Sequence, residues 1–202
     1  MNFLQIAVFV AFTACIISFS WALMGGFFRS VEKPPLGLRL IQIVGLVFTL
    51  AHGYALVQAR DMHPFPGFIG LAMYMLSFWL FWSCIRANRQ KPLTLAFNSD
   101  PPEHLTAHGP YRFIRHPFYS SYLVSWVAGV VATRQLWLLV SVAVMTTIYV
   151  FAARVEERKF LSSSLEEEYA NYRSRTGMFW PRLGEPKTIF TVIEKGGKGR
   201  TL

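Results

Sequence analysis

The stretch "FYSSYLVSWVAGVVATRQLWLLVSVAVMTTIYVFAA", residues 118–153, contains a single charged side chain, Arg134. An apolar segment runs on each side of it, over residues 118–133 and 135–153. A helix needs about 20 mostly apolar residues to cross the hydrocarbon core of a bilayer. The second segment meets that length; the first is short and begins inside a polar string. The break "TRQ" is too brief for anything but a tight turn, so the pair reads as an antiparallel helical hairpin. Such a hairpin returns the chain to the side it came from. Whatever precedes residue 118 is therefore brought beside whatever follows residue 153.

Three more apolar segments lie upstream, at about residues 3–23, 40–59 and 65–85. The expected fold is an all-α integral membrane protein with five transmembrane helices, a C-terminal helical hairpin and an amphipathic tail helix on the cytoplasmic side. Composition agrees: 53% of residues are apolar and 15% charged, against about 25% charged in soluble domains. The 202 residues suit one domain. Its parts are three N-terminal helices (1–85), a loop, hairpin and tail helix (86–183), and a basic, glycine-rich mobile end (184–202) that can meet anionic lipid. Residues 1–28 carry no charged side chain. That run is too long for a signal-peptide core and ends in no good cleavage site, so it reads as a retained helix.

The net charge of +9 raises the question of nucleic acid. The basic residues, however, sit between apolar segments rather than on one periodic face, which indicates membrane orientation and no nucleic-acid partner. Arg29, Lys33 and Arg39 share one connection, and Arg86, Arg89, Lys91, Arg112 and Arg115 another; ten more lie from Arg154 onward. Five crossings put all three groups on one side and leave Arg60 and Arg134 on the other. The expected topology has the N-terminus outside and the C-terminus in the cytoplasm. Cys15 and Cys84 both lie in apolar stretches. They read as small buried hydrophobes rather than a disulfide or metal site.

Within the tail, Leu161, Leu165, Tyr169 and Tyr172 recur at helical spacing. This face is expected to pack on the mouth of the bundle or lie at the membrane interface. Ser164 and Glu167 can form a capping box that restarts the helix after the serine run, and Gly177 is a helix stop.

Chemistry concentrates in two places. The first is "HGPYRFIRHP", residues 108–117. Gly109-Pro110 is a turn signal, and Pro117 suits the first turn of a helix. A helix N-terminus offers unpaired N–H groups to an anion, and Arg112 and Arg115 add fork donors. The second is "RVEER", residues 154–158, where Glu156 and Glu157 stand at the end of the fifth helix. The hairpin brings the two together. An anion-binding turn facing a carboxylate pair suits a ligand with a carboxylate at one point and a cation at another, as in S-adenosylmethionine. The same residues also serve elsewhere as interface anchors and surface ion pairs. His104 and His108 lack a third ligand at sensible spacing, so no metal site is expected.

"GPYRFIRHPFYSSYL", followed about forty residues later by "EERKFLSSSLEEEYANYRSRTGMFWPRL", resembles the isoprenylcysteine carboxyl methyltransferase family and its phospholipid methyltransferase relatives, over roughly residues 105–183. The resemblance implies a membrane enzyme using S-adenosylmethionine, with the cofactor in a cytoplasm-facing pocket and a lipid-like or prenylated substrate entering between helices. By matching positions, Gly109, Pro110, Tyr111, Arg115, His116, Pro117 and Tyr119 bind the cofactor. Glu157 matches the functional glutamate, with Glu156 as the alternative, and Arg154 orients an acidic substrate. The sequence departs from the pattern in "SSSLEEEY", which lacks the usual glycine.

Methyl transfer from a sulfonium is an in-line displacement that requires alignment and exclusion of water. A carboxylate nucleophile needs a cation to hold it, whereas an amine needs a base. Carboxyl O-methylation of an isoprenylcysteine-like acceptor is the reading the resemblance favours. The alternatives are a phosphatidylethanolamine N-methyltransferase, another small-molecule methyltransferase, and a nicotinamide-dependent sterol-type reductase, whose R-H-x-N-Y string differs from "RHPFY" here.

Overall fold

The computed structural model describes residues 2–28, 36–59, 61–90, 102 and 104–182. The expected mobile end, and Arg29, Lys33, Arg60 and Lys91, lie outside the described residues. The described residues are helical; the strand-type pairing among them is an isolated parallel bridge between Ile114 and Gly177. Six α-helices follow in order: α1 (Phe3–Trp21), α2 (Leu36–Gln58), α3 (Pro64–Ala87), α4 (Pro117–Thr133), α5 (Leu139–Leu161) and α6 (Glu166–Arg175). The Asn2 side chain caps α1 by accepting from the Gln5 N–H at 2.8 Å. A π-helical turn over Ala22–Gly26 extends α1 and kinks at Met24 and Gly25, where Gly25 takes φ 96°. Prolines open α3 and α4, at positions where the missing N–H has no helical partner to lose.

Among the described residues, four stretches are long and apolar enough to cross a membrane: Phe3–Gly25, Leu36–Gln58, Pro64–Ala87 and Leu136–Leu161. That is the pattern expected of an integral membrane protein. The count expected from sequence was five, and the difference lies in α4. This helix has 17 residues, because the polar string holds its start and Arg134 its end. Arg134 adopts the left-handed conformation at φ 58° and terminates the helix.

Short as it is, α4 forms the centre of the bundle. Most of its residues are buried, while the outer helices leave large apolar side chains exposed. The most extensive packing in the fold is between α3 and α4, and small residues permit it. A methyl group on Gly70 would fall 2.5 Å from Ala132 Cβ, and one on Gly129 would fall 2.9 Å from the Tyr74 hydroxyl and, towards α2, 2.1 Å from His52 Nδ1. Ser77 Oγ donates to the Ser121 carbonyl at 2.7 Å across the same seam. Lipid tails are as apolar as leucine, so close backbone approach and hydrogen bonds, rather than apolar burial alone, hold such helices together.

The hairpin forms as expected. Trp126 Nε1 donates to the Tyr149 hydroxyl at 3.3 Å, and Tyr119 to Glu156 Oε1 at 2.5 Å. Moving backward along α4 thus moves forward along α5, which is antiparallel pairing. After α5 the chain breaks at the serine run and restarts as α6. The cap differs from expectation: Leu165 holds the N-cap position without a side-chain cap. Ser163 closes the turn instead, its carbonyl accepting from Glu166 N–H and its hydroxyl from Leu165 N–H, both at 3.2 Å. The tyrosine face of α6 packs back on α5, with Tyr169 stacked on Phe160 at 4.6 Å and 13°. Thr176, in extended conformation, ends α6. Gly177 lies just beyond the stop, where a methyl group would fall 1.8 Å from the Trp180 carbonyl oxygen.

Candidate active site

Gly109 takes φ +59°, a left-handed conformation that costs glycine little, and opens a 3-10 turn over Gly109–Arg112 with Pro110 in its first positions. The turn buries Tyr111. The following residues pair with the tail. Arg115 N–H donates to the Gly177 carbonyl at 2.8 Å, His116 N–H to that of Met178 at 3.0 Å, and Gly177 N–H to that of Phe113 at 3.2 Å. The backbone donors at Arg115 and His116, just ahead of the α4 N-terminus, therefore hold the tail in place. Tyr172 adds a hydrogen bond from its hydroxyl to the Tyr111 carbonyl at 2.7 Å.

A charge cluster joins α4, α5 and α6. Arg115 Nε donates to Glu157 Oε1 at 2.8 Å. Its Nη1 donates to the Thr176 carbonyl, and to that of Arg173 at 3.4 Å. His116 Nε2 lies 3.2 Å from the same Glu157 oxygen, and its Nδ1 3.4 Å from Glu156 Oε2. Arg173 Nε approaches Glu157 Oε2 at 3.7 Å. Burial by itself would depress the His116 pKa. Hydrogen bonds to Glu156 and Glu157, and their charges, outweigh burial and raise it above the ordinary value. His116 thus favours the imidazolium form, donating to a carboxylate from each ring nitrogen.

Beside the cluster is a cavity of about 190 Å³. Tyr111, Arg115, His116, Pro117, Tyr119 and Glu156 line it. Gly109 and Pro110 shape the turn without lining the cavity. Glu157 is buried behind it, 4% exposed, with both oxygens occupied by Arg115, His116 and Arg173. Arg154 is exposed and is not brought to the cavity.

Sequence reasoning missed several lining residues. Tyr122 and Tyr149 belong to the site, and their signal was helical spacing: Tyr119 and Tyr122 are three apart on α4, Tyr149 and Glu156 seven apart on α5. His104 also lines it, as do Tyr169 and Tyr172, which had been read only as a packing face. Leu23, Phe28, Leu38 and Ile41 supply an apolar wall; nothing local in α1 or α2 marks them.

The lining has features of a ligand site. His104 Nε2 and the Tyr169 hydroxyl are buried without hydrogen-bond partners, a costly condition that a polar ligand relieves. The Tyr119 ring stacks on His116 at 5.7 Å and on Tyr149 at 5.2 Å. Tyrosine faces beside a carboxylate suit an organic cation. Among the described residues, no group of three or more His, Cys, Asp or Glu side chains is placed to hold a metal ion.

The sequence profile of the phospholipid methyltransferase family matches residues 66–168, about half of the 202 residues, covering α4, α5 and all of α3 but its first two residues. The chain belongs to the phospholipid methyltransferase family. That membership sets aside the sterol-type reductase alternative. Methanethiol S-methyltransferase 1 of Bradyrhizobium diazoefficiens is 35% identical over 72 residues, covering 35% of this chain and 24% of that protein. Methanethiol S-methyltransferase of Crocosphaera subtropica is 34% identical over 76 residues, covering 37% of this chain and 28% of that protein. The matched part spans about a quarter of the length of these relatives.

Proposed function

We propose that this chain is a membrane methyltransferase that uses S-adenosylmethionine and methylates a lipophilic nucleophile in the cavity between α4, α5 and the tail. The observation that carries this reading is the joint presence, on one cavity, of Glu156 held by Tyr119 and the unpartnered His104 Nε2 and Tyr169 hydroxyl. When bound, S-adenosylmethionine supplies a methyl group made electrophilic by its sulfonium. His104 and Tyr169 hydrogen-bond its polar groups. The faces of Tyr119 and Tyr149, with Glu156, offset its positive charge. The apolar wall seats the acceptor and excludes water, which favours in-line displacement.

A thiol acceptor fits this lining better than a carboxylate. A carboxylate needs a free cation, and among the described lining residues Arg115 is engaged by Glu157 and two carbonyls and His116 by Glu156 and Glu157. A thiol needs a proton acceptor, and Glu156 reaches the cavity. The acceptor sulfur would form the new bond to the methyl carbon as the sulfonium–methyl bond breaks, its electron pair leaving with neutral S-adenosylhomocysteine, and the thiol proton would pass to Glu156. The names of the two methanethiol S-methyltransferases favour the same class. Carboxyl O-methylation of an isoprenylcysteine-like acceptor is the second reading, supported by the apolar wall of Leu23, Phe28, Leu38 and Ile41, which suits a prenyl tail. In either case α4 is the fifth crossing. At 1.5 Å per residue it spans about 26 Å, with the cavity on the cytoplasmic face and the N-terminus outside.

Transfer of labelled methyl from S-adenosylmethionine to a panel of alkanethiols, prenylcysteines and phosphatidylethanolamine tests the assignment. Thioether products are expected. Products confined to methyl esters move the assignment to the second reading, products confined to methylamines move it to phospholipid N-methylation, and the absence of any product rejects the whole reading.

A further inference from the structure

On the far side of α3 from α4 lies a second recess, separate from the cavity above. It is lined by Trp21 and Phe27 near the end of α1 and by Phe78, Trp79, Trp82, Arg86 and Arg89 among others. Trp79, Trp82 and Arg86 stand at i, i+3 and i+7, one stripe of α3, and Arg89 follows just beyond the helix's C-terminal cap, Asn88. Trp21 stacks on Trp82 at 5.5 Å and 20°, so α1 and α3 together build a flat aromatic wall. Trp79 remains 60% exposed and Trp21 42%. The wall leads along α3 to two exposed arginines. Arg86 uses Nε on the Trp82 carbonyl at 3.3 Å, which anchors its stem and leaves the Nη groups outward. Neither arginine has an acidic partner among the described residues.

Apolar faces in a bilayer need no protein partner, but an arginine pair at the end of one attracts an anion. We infer that this groove is a binding site for an anionic phospholipid, with the phosphate between Arg86 and Arg89 and an acyl chain along Trp21, Trp79 and Trp82. The charge pattern selects this occupant: a zwitterionic lipid carries its own cation to the arginines, while an anionic one does not. The stripe from Trp79 to Arg86 covers about 10 Å of helix, so it lies within one leaflet of a hydrocarbon core about 30 Å thick. The site is distinct from the methyltransferase cavity, and the proposal does not depend on that assignment.

The test is quenching of tryptophan fluorescence in proteoliposomes by brominated-acyl phosphatidylglycerol and, separately, brominated-acyl phosphatidylcholine at equal mole fraction. Wild type is expected to be quenched several-fold more effectively by the phosphatidylglycerol at low mole fraction. The double variant Arg86→Gln/Arg89→Gln should lose that preference. Trp21→Phe/Trp79→Phe/Trp82→Phe should lose the anionic-selective part of the quenching while Trp126, Trp137 and Trp180 still report. Equal quenching by both lipids in wild type, or a preference that persists in the arginine double variant, overturns the site.

Discussion

Arg115 Nε and Glu157 Oε1 lie 2.8 Å apart, with side chains 9% and 5% exposed, and join the loop before α4 to the end of α5. Removing one member of a buried pair leaves the other charge uncompensated, at a cost of about 3–5 kcal/mol. Glu157→Ala is therefore expected to lower the melting temperature of the detergent-solubilised protein sharply, and Glu157→Gln less so, because the amide oxygen still accepts. Equal melting of Glu157→Ala and wild type would remove this pair as the clamp.

Glu156 makes the opposite case. It reaches the cavity, and its oxygens meet Tyr119 and His116. Glu156→Gln keeps the shape and removes the proton acceptor. Its melting temperature should stay near that of wild type while kcat falls by about 10²–10⁴, the usual worth of general-base catalysis. Adjacent glutamates on one helix would then separate cleanly, one by stability and the other by turnover.

The pH dependence of stability follows from His116. Its folded-state pKa is raised by Glu156 and Glu157. The unfolded chain gives up that proton first, near the ordinary value of about 6.5. The stabilisation is thus fully present below about pH 6.5 and declines as pH rises through the folded-state value. Wild type should lose melting temperature across that interval, and His116→Gln should show a flatter profile there. Parallel profiles would contradict the bridging role.

Gly177→Ala probes the tail. The added methyl group would meet the Trp180 carbonyl at 1.8 Å, so the segment that accepts from Arg115 and His116 must shift. Limited proteolysis should cut near residues 162–182 faster in this variant, with the remaining helices intact. Unchanged cleavage would show that the tail accommodates the change.

Much of this was legible in the sequence, and for identifiable reasons. Long apolar runs mark α1, α2, α3 and α5 because a bilayer imposes length and composition. The hairpin turn at Arg134 and the approach of residues 109–119 to Glu156 followed from topology alone. The number of crossings was less legible, since the polar string before α4 and Arg134 after it cut this buried central helix to 17 residues. The roles of Glu156 and Glu157 were not legible either. Consecutive residues on a helix point about 100° apart, and only the positions of Arg115, His116 and Arg173 decide which one is pinned. Leu23, Phe28, Leu38 and Ile41 carry no local mark, because an apolar residue facing a cavity looks the same in sequence as one facing lipid.

The central claim is that S-adenosylmethionine occupies the cavity lined by Tyr119, Tyr149 and Glu156. Ultraviolet cross-linking of methyl-labelled S-adenosylmethionine to the purified full-length protein, followed by peptide mapping, tests it most directly. The account predicts label on peptides covering residues 104–122 and 149–172, competed away by unlabelled S-adenosylmethionine. Absence of competable label, or label confined to peptides of α1 and α3 outside the cavity, would contradict it.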